Sequence, residues 1–289
     1  MNIDTAYLNQ WVGKEEVTED IITAKTANLM NATLSRDAIF NQGDVLPPAW
    51  HWLYFHQGVR GDDLGADGHA KLGGFIPPIP LPRRMWAGGT LRFEQPLRIG
   101  DHATKHSTIK SITPKHGRSG QLCFVIVEHK IIVNEQRCLS ETQTLVYREE
   151  VQREAGQPPK VQQMANEPTP TKTADFSNAY TPDAAQLFRY SALTFNSHRI
   201  HYDLDFCRKH EGYPDLVIHG PLIATLLLDL FYQRQPTEQP IRQFDYRGVS
   251  PLFHPHTFTV NGAHMQDTRG EGWATNHFGG VAMTARVMV

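Results

Sequence analysis

Residues 217–233 read VIHGPLIATLLLDLFYQ, and this stretch decides the fold. From Pro221 to Gln233, apolar side chains occupy nearly every position of a predicted helix. A helix that is apolar on most sides must be enclosed by other structure rather than lie on a surface. Its start at Gly220 leaves N–H groups of the first turn without helical partners, and such groups attract negative charge. The pattern therefore predicts a sheet wrapped around one buried helix.

The rest of the chain supplies the strands of such a sheet. Residues 121–133, QLCFVIVEHKIIV, are apolar on both faces, which is typical of a central strand in an antiparallel sheet. Residues 257–260 and 281–289 also have strand patterns. In the first half, the aromatic run PPAWHWLYFHQ at 47–57 predicts a second buried helix. Each half is thus expected to fold as a sheet around a helix.

A polar, proline-rich segment divides the chain. Residues 149–172 carry almost no side chain that could be buried, so they are predicted to form a surface linker between residues 1–148 and residues 173–289. The halves share their order of elements. Residues 92–101 and 246–255 each place an Arg, a Pro and an apolar pair before a turn and a strand. This weak repeat predicts two similar domains.

The composition of the chain limits the classes of protein to which it can belong. With 289 residues, 40% apolar residues and five Trp, the chain is long enough for two ordered domains. The net charge of −2 means that the chain has no overall positive charge with which to attract nucleic acid or an anionic membrane. Cys123, Cys138 and Cys207 form no CxxC, which favours a reducing compartment. No secretory signal or apolar run long enough to span a bilayer is visible, so a cytoplasmic protein is expected.

The chemistry is concentrated in residues 190–203, YSALTFNSHRIHYD. An amide, Asn196, and an imidazole, His201, lie five residues apart and precede the helix that starts at Gly220. Acid/base chemistry through a thioester enolate, for example, needs such a pair: a proton carrier, and backbone donors aimed at the developing negative charge. Imidazole, with an ordinary pKa of roughly 6.5, suits proton transfer near neutrality. If the two segments line one pocket, they predict an enzyme that adds or removes water.

These segments resemble the MaoC-like, or hydratase 2, family of double-hotdog enzymes. The family motif begins with an aromatic residue, reads roughly G-D-x-N-P-L-H, and is followed by a buried helix that starts H-G-x-L. The matching positions are Tyr190, Phe195, Asn196, Ser197, His198, Arg199, Ile200 and His201, and then His219, Gly220, Pro221 and Leu222. The resemblance covers nearly the whole chain. It implies an α+β double hotdog, in which each half is an antiparallel sheet wrapped around a central helix.

The chain departs from the family at one position. Asn196 stands where most members have a catalytic Asp, and a carboxamide cannot act as a base. The resulting hypothesis is that His201 moves the proton while Asn196 orients the water or hydroxyl. His198, in place of the family's Asn, either orients the motif or shares the proton transfer. Asp203 and Asp205 are alternative carboxylate helpers.

The resemblance also implies an oxyanion site and a substrate pocket. Gly220 is the family's usual oxyanion donor, and Leu222 and Ile223 are further donors in the same turn. Thr225 occupies a position where the family often has a serine near the acyl group. Tyr190 supplies the aromatic residue of the motif and is placed with the substrate-binding residues.

Coenzyme A is expected only as part of the substrate, with no separate cofactor. Arg83, Arg84 and Arg199 are candidates for its phosphates or for a second substrate carboxylate, since guanidinium groups bind both bidentately. No nucleotide-binding glycine loop occurs. The close histidine pairs His254/His256 and His198/His201 lack a Cys or carboxylate at a recognised spacing, so no metal site is expected.

The resemblance implies a hydro-lyase that reversibly hydrates an enoyl-CoA to a 3-hydroxyacyl-CoA. The narrower expectation is itaconyl-CoA or mesaconyl-C4-CoA as substrate and citramalyl-CoA as product, as in itaconate degradation. The first half, without an acid/base motif, is expected to shape the pocket, and a homodimer is expected because hotdog sheets often extend across subunits. Alternatives are a 3-hydroxyacyl-thioester dehydratase of fatty acid synthesis, a thioesterase on the same fold and a non-catalytic acyl-CoA-binding module.

Overall fold

A computed structural model describes residues 3–117, 120–150, 167–234, 240–266 and 268–289. The helices within these residues are α1 (Thr5–Leu8), α2 (Ala24–Thr33), α3 (Ala184–Leu193), α4 (Leu204–Phe206) and α5 (Gly220–Tyr232). The strands are β1 (Glu15–Ile21), β2 (Arg83–Phe93), β3 (His102–Gly117), β4 (Gly120–Val133), β5 (Gln136–Arg148), β6 (Phe176–Tyr180), β7 (Gln243–Gly248), β8 (Phe258–Gln266), β9 (Arg269–Thr275) and β10 (Val281–Met288). None of these helices is both long and apolar enough to span a membrane.

The strands form one antiparallel sheet in the order β1-β3-β4-β5-β2-β7-β10-β9-β8-β6. The first half therefore has the order 1-3-4-5-2, and the second half repeats it as 6-8-9-10-7. The halves meet where β2 pairs with β7, from Gly88 opposite Arg247 to Arg92 opposite Gln243. This repeat of an antiparallel sheet confirms the predicted α+β architecture.

The predicted strands lie at equivalent places in the two halves. Residues 121–133 form most of β4, a central strand between β3 and β5. The two similar sequence segments are residues 92–101 and 246–255. Each begins at the end of an equivalent strand, β2 or β7, and continues toward the next strand, β3 or β8. Strand β5 ends at Arg148. Of the predicted linker 149–172, residues 151–166 lie outside the described residues.

Helix α5 confirms the helix predicted at 221–233. Every residue from Leu222 to Phe231 is buried, as its nearly uniform apolarity requires. Burial of a leucine-sized side chain contributes about 2 kcal/mol, so this helix is a main source of core stability. Its one buried charge, Asp229, pairs with Arg36 of the first half at 2.8 Å. The core around α5 therefore includes an ion pair between the halves.

The helix predicted at 47–57 was wrong. Only a short 3-10 turn, Trp50–Leu53, forms there. It is bounded by Ala49 and Phe55, whose φ angles of 68° and 64° are left-handed and interrupt a helix on both sides. Residues 54–82, all within the described part of the chain, contain no α-helix and no named strand before β2 begins. The first half thus replaces a long central helix with a loop.

Candidate active site

His201 ends a 3-10 turn, Arg199–His201, and its ring is fixed by the backbone. Its Nδ1 lies 2.7 Å from the carbonyl oxygen of Val217. A carbonyl only accepts hydrogen bonds, so Nδ1 carries the hydrogen and Nε2 keeps a free lone pair. Burial lowers the pKa of His201 to about 4, which leaves the ring neutral at pH 7. The geometry thus presents a neutral base through Nε2.

The ring of His201 stacks on that of His219, with centroids 3.6 Å apart and planes inclined by 16°. His219 is the residue before α5 and is completely buried. Its Nε2 lies 2.8 Å from the hydroxyl of Ser191, and Tyr190 packs edge-on against its ring. The two segments singled out in the sequence therefore meet at this stack, immediately before Gly220.

The start of α5 offers backbone donors beside this stack. The N–H of Ile223 donates to the carbonyl of His219 at 3.1 Å and is used by the helix itself. Gly220 and Leu222 precede it at positions where a helix provides no acceptor of its own. A side chain at Gly220 would also collide with Trp86 of β2, because a Cβ there would lie 2.8 Å from the indole. Packing against Trp86 therefore favours glycine at this position.

Asn196 shapes the turn that carries the histidines. Its Oδ1 accepts from the N–H of His198 at 3.1 Å, and its own N–H donates to the carbonyl of Ser191 at 2.8 Å. An Asn that bonds the backbone two residues on is a common way to fix a turn. These contacts give Asn196 a structural role. Its predicted contact with the water or hydroxyl stays a prediction.

A loop of the first half closes over this turn. The N–H of Arg199 donates to the carbonyl of Asp67 at 2.8 Å, and the hydroxyl of Ser197 donates to the carbonyl of Gly68. Gly68 has a φ of +91°, and a Cβ on it would lie 1.9 Å from the Ser197 carbonyl oxygen. Only glycine allows such an approach. The loop therefore fixes the next residue, His69, against the site.

His69 and Asp67 form a hydrogen-bonded pair that sequence reasoning missed. Nδ1 of His69 lies 2.7 Å from Oδ2 of Asp67. Burial alone would raise the pKa of the Asp67 carboxyl, but His69 outweighs it and holds the pKa well below its usual range. Burial and the charge of Arg84 lower the pKa of His69, while Asp67 opposes them. The first half thus contributes a carboxylate–imidazole pair.

Four imidazoles form what we call the histidine row: His69, His198, His201 and His219. Ring centroids along the row are separated by 4.2, 5.6 and 3.6 Å. His198 lies in the middle, and burial together with its charged neighbours lowers its pKa to about 2. His201 is only 6% exposed, whereas His69 is 21% exposed. The row therefore runs from a partly open end at His69 into the core.

Three members of this region could also hold a metal ion. Ligand atoms of Asp67, His69 and His198 all lie within 4.8 Å of one another. Two imidazoles and a carboxylate form a ligand set that suits zinc or iron(II). The two histidine pairs recognised in the sequence led to the expectation of no metal site. This group was missed, because its carboxylate comes from the loop of the first half.

Two of the three candidate arginines are engaged elsewhere. Arg83 is buried and donates from Nε to Glu211 at 2.6 Å and from Nη2 to the Glu211 carbonyl. Arg199 donates to Asp203 at 3.0 and 2.7 Å and to the Ala66 carbonyl at 3.0 Å. These contacts give both arginines structural roles. Asp203 has a structural role too, because it accepts these hydrogen bonds from Arg199. The structure therefore does not support Asp203 as a carboxylate helper.

Arg84 has a different environment. Among the residues that the structure describes, no carboxylate lies within ion-pair distance of its guanidinium group. It is half-buried in β2. Burial is the main cause of the lowered pKa of His69 and His198, and the charge of Arg84 adds to it. Arg84 is therefore the candidate cation with no carboxylate partner in the described part of the chain, and it acts on the open end of the histidine row.

The remaining predicted site residues lie deeper or further away. Tyr190 and Thr225 are each 2% exposed, and Tyr190 packs behind His219 rather than at an open surface. Asp205, the other suggested carboxylate helper, is exposed and pairs with Lys209 at 2.7 Å. The structure therefore brings His201, Gly220, His198 and Arg84 to one region and leaves Tyr190 and Thr225 as support beneath it.

Comparison with known proteins identifies the family of the chain and its fold. The family model described as hydroxyacyl-thioester dehydratase type 2 matches residues 49–254. A protein from Chloroflexus aurantiacus named mesaconyl-C(4)-CoA hydratase is 46% identical over 248 residues, which cover 84% of each chain. A MaoC-like dehydratase from Phytophthora capsici has a similar structure, with a TM-score of 0.69 at 13% identity, over 100% of this chain and 97% of that one.

A second solved structure supports the fold. A Mycobacterium tuberculosis protein described as having a double hotdog fold superposes with a TM-score of 0.59 at 11% identity, over 96% of this chain and 95% of that one. At sequence identities this low, the two structures show the fold alone. They confirm the predicted double hotdog, and the sequence matches confirm the predicted enzyme class, a hydro-lyase. The chain belongs to the hydroxyacyl-thioester dehydratase type 2 family.

Proposed function

We propose that the protein hydrates an α,β-unsaturated acyl-CoA to the 3-hydroxyacyl-CoA, in a reversible reaction. The observation that carries this proposal is the stack of His201 on His219 at the start of α5. It puts an imidazole with a free Nε2 beside the first turn of a helix. A base and a set of oxyanion donors at one place are what the reaction requires.

The steps follow from this placement. Nε2 of His201 takes a proton from water as the water oxygen bonds to C3 of the substrate. The C2–C3 electron pair moves toward the thioester, whose oxygen becomes negative. The N–H groups of Gly220 and Leu222, at the positive end of the α5 dipole, stabilise this enolate oxygen. Donors of this kind are worth about 3 kcal/mol each in the transition state. Delivery to C2 of the proton that His201 accepted, which also returns His201 to its neutral form, completes the addition of one water molecule.

Within this class we propose mesaconyl-C4-CoA as the substrate and citramalyl-CoA as the product. The relative that is 46% identical carries the name mesaconyl-C(4)-CoA hydratase. In this substrate the carbon that receives the hydroxyl also bears a carboxylate, so a cation must lie next to the proton-transfer groups. Arg84, close enough to lower the pKa of His69 and His198, is suited to bind that carboxylate. Arg83 and Arg199 are held by Glu211 and Asp203.

A second candidate is dehydration of a 3-hydroxyacyl thioester in fatty acid synthesis. The description of the matching family, hydroxyacyl-thioester dehydratase type 2, favours it. The chemistry is the reverse of the same reaction and uses the same groups. The two candidates differ in the acyl chain, since an ordinary fatty acyl substrate has no carboxylate for Arg84 to bind.

One assay tests the proposal. The protein is incubated with mesaconyl-C4-CoA, crotonyl-CoA and a long-chain enoyl-CoA, and the enoyl absorbance and free thiol are followed together. We expect the absorbance to fall without thiol release, and to fall at least tenfold faster with the carboxylated substrate. Thiol release with the double bond intact would identify a thioesterase and refute the proposal. A preference for the long-chain substrate would select the dehydratase instead.

Two further statements stay predictions: the protein forms a homodimer, and it acts in the cytoplasm. The sheet ends at β1 and β6, which are its two edges in the described residues and the places where a sheet can extend to a second subunit. Analytical ultracentrifugation of the purified protein tests the dimer, and fractionation of source cells tests the location.

A further inference from the structure

We propose that a cavity in the first half, at the place that corresponds to the active site of the second half, binds a fatty acid as a separate, non-catalytic site. The cavity has a volume of about 640 Å³, within the range of roughly 300–1,000 Å³ that is typical of small-ligand sites. We call it the counterpart cavity. This inference goes beyond the proposed hydration and does not depend on it.

Matching backbone hydrogen bonds show which segments of the two halves correspond. In the second half, the N–H of Ile218 donates to the carbonyl of Leu252 at 2.8 Å, just before α5. In the first half, the N–H of Leu46 donates to the carbonyl of Leu97 at the same distance. Antiparallel bridges between the neighbouring residues repeat the match: Val217 with Phe253, and Val45 with Arg98. The segment after Leu46 is therefore the counterpart of the start of α5.

The counterpart of the oxyanion turn has no donors. Pro47 and Pro48 follow Leu46, where His219 and Gly220 follow Ile218. Proline has no N–H, so neither of the two prolines can donate to a negative oxygen. Both of them line the counterpart cavity. The cavity is therefore suited to hold a ligand and not to stabilise an enolate.

The turn that carries the catalytic histidine also has a counterpart. The N–H of Asn196 donates to the carbonyl of Ser191 at 2.8 Å, and that of Arg36 donates to the carbonyl of Asn31 at 2.9 Å. Residues 36–48, which run from this second turn to the two prolines, contain no histidine. The first half thus has the backbone arrangement of the active site without its proton carrier.

The walls of the counterpart cavity are mainly apolar. They include Val45, Leu46, Leu97, Leu139 and Ile241. The buried polar residue of the lining, His51, is already engaged, because its Nε2 lies 3.1 Å from Oε2 of Glu141. Burial of a hydrocarbon chain against such walls is favourable by about 25 cal/mol per Å² of apolar surface. The walls therefore suit an apolar chain.

Two arginines add positive charge to this lining. Arg98 and Arg242 both line the cavity and are exposed. Within the described ranges of the chain, neither guanidinium group has a carboxylate at ion-pair distance. Glu94, which also lines the cavity, is engaged by Arg137 at 2.5 Å. Since guanidinium groups bind carboxylates strongly, the two arginines suit a carboxylate at the end of the apolar chain.

The counterpart cavity is distant from the catalytic turn. Tyr232, the last residue of α5, lines the cavity, whereas Gly220 begins the same helix. A helix of 13 residues is about 20 Å long. The negative end of the α5 dipole lies at Tyr232 and would by itself disfavour an anion, so binding of a carboxylate there requires the two arginines.

Isothermal titration calorimetry with decanoate tests the inference. We expect wild-type protein to bind about one decanoate per chain, and 1-decanol, with the same chain and no charge, to bind at least tenfold more weakly. The double variant Arg98→Gln/Arg242→Gln should lose at least tenfold in decanoate affinity and bind 1-decanol as wild type does. Equal affinity of wild-type protein for the acid and the alcohol would overturn the assigned ligand class.

A pair of matched substitutions tests the place of binding. Val45→Trp fills the cavity and should abolish decanoate binding, whereas Val17→Trp, at an exposed position of β1, should bind as wild type does. Thermal melts check that each variant is folded. Wild-type affinity in both Val45→Trp and Arg98→Gln/Arg242→Gln would show adventitious binding elsewhere and overturn the inference.

A further comparison separates the counterpart cavity from the active site. Arg84→Gln should bind decanoate as wild type does, and Arg98→Gln/Arg242→Gln should hydrate the enoyl-CoA substrate within twofold of wild type. Affinity that falls in Arg84→Gln and not in Arg98→Gln/Arg242→Gln would place the acid in the active site and overturn the inference. Calorimetry needs no turnover, so a protein that hydrates no enoyl-CoA would refute the proposed function and leave this result to be judged separately.

Discussion

The imidazole of His201 lies face to face with that of His219, 3.6 Å from centroid to centroid. His219 directly precedes Gly220, so the stack ties the base to the helix start that carries the oxyanion donors. Burial lowers the pKa of both rings, which keeps both neutral at pH 7. The two parts of the site therefore form one rigid unit, and their relative positions do not depend on a flexible loop.

We predict that His201→Gln lowers kcat for hydration at least 1,000-fold and changes KM by no more than a few-fold. The loss corresponds to about 4 kcal/mol of transition-state stabilisation, the upper range for a general base. Steady-state kinetics on the enoyl-CoA substrate measure it. The exposed-site variant His102→Gln should match wild type. A His201→Gln enzyme within tenfold of wild type would contradict the role of His201.

Gly220→Ala should destabilise the protein through contact with Trp86. A Cβ at this position would lie 2.8 Å from the indole ring, and overpacking of this kind costs about 1–3 kcal/mol. Thermal unfolding measures the loss. Adding Trp86→Leu should restore part of it, whereas Gly58→Ala, which has open space around it, should have little effect. Equal stability of Gly220→Ala and wild type would show that the helix start adjusts freely.

Arg84→Gln should act on substrate choice rather than on chemistry in general. We expect kcat/KM for a carboxylated enoyl-CoA to fall about 100-fold, while that for crotonyl-CoA changes less than threefold. A charge-assisted bidentate pair is worth about 2–3 kcal/mol, which matches this factor. Arg92→Gln, an exposed change on the same strand, is the control. Equal losses on both substrates would argue that Arg84 does not bind the carboxylate.

The buried histidines should make the protein sensitive to acid. The pKa values of His201 and His129 are lowered to about 4 and that of His198 to about 2, mainly by burial, while the unfolded value is about 6.5. The unfolded chain therefore binds more protons below pH 6.5, and stability present above that pH is lost as the pH falls toward 4. Each such group contributes a slope of about 1.4 kcal/mol per pH unit.

Asp229 opposes this trend. Burial raises the pKa of Asp229 to about 6, so its contribution favours folding at low pH and is lost as the pH rises through 6. The pKa of Glu167 is also raised by burial, but the lowered pKa values of the buried histidines outweigh both carboxyls. Urea unfolding at pH 7.5, 6.0 and 5.0 should show a steadily falling free energy of unfolding. His129→Gln should make the slope shallower by about one proton. A constant free energy across this range would contradict the neutral, buried state of the row.

Asn196→Asp tests whether the motif needs its missing carboxylate. An aspartate can accept the N–H of His198 as the asparagine does, so we expect a folded protein. Because Asp67 already supplies a carboxylate to the site, kcat should change less than about fivefold. Steady-state kinetics and a thermal melt measure the two effects. A gain of tenfold or more would show that the native amide limits the rate.

Sequence patterns predicted the parts of the fold that depend on local periodicity. The helix at α5 was recognisable because its burial is uniform along the chain, and β4 because it is apolar on both faces. The aromatic run at 47–57 misled the prediction, since left-handed backbone at Ala49 and Phe55 cannot be read from side-chain hydrophobicity. Burial of the aromatic residues was right, and their helical conformation was wrong.

The site was predictable only where its residues belong to one motif. Asp67 and His69 lie in a polar, glycine-rich loop with no periodic pattern, and their proximity to His198 depends on contacts across more than 100 residues. A possible signal was Gly68 between two titrating residues in a long loop. Arg83 and Arg84 are adjacent in sequence, yet only the structure shows that Glu211 engages the first of them.

The junction of β2 with β7 places two versions of the same domain in one polypeptide. In a symmetric assembly of separate chains, any change in one copy occurs in both. Covalent linkage removes that constraint, so the copies can diverge. Here the second half contains the long helix α5, while the first half has a loop at the corresponding place, and this loop contacts the second half. The site therefore combines groups that only one copy supplies: His201 and Gly220 from the second half, Asp67 and His69 from the first.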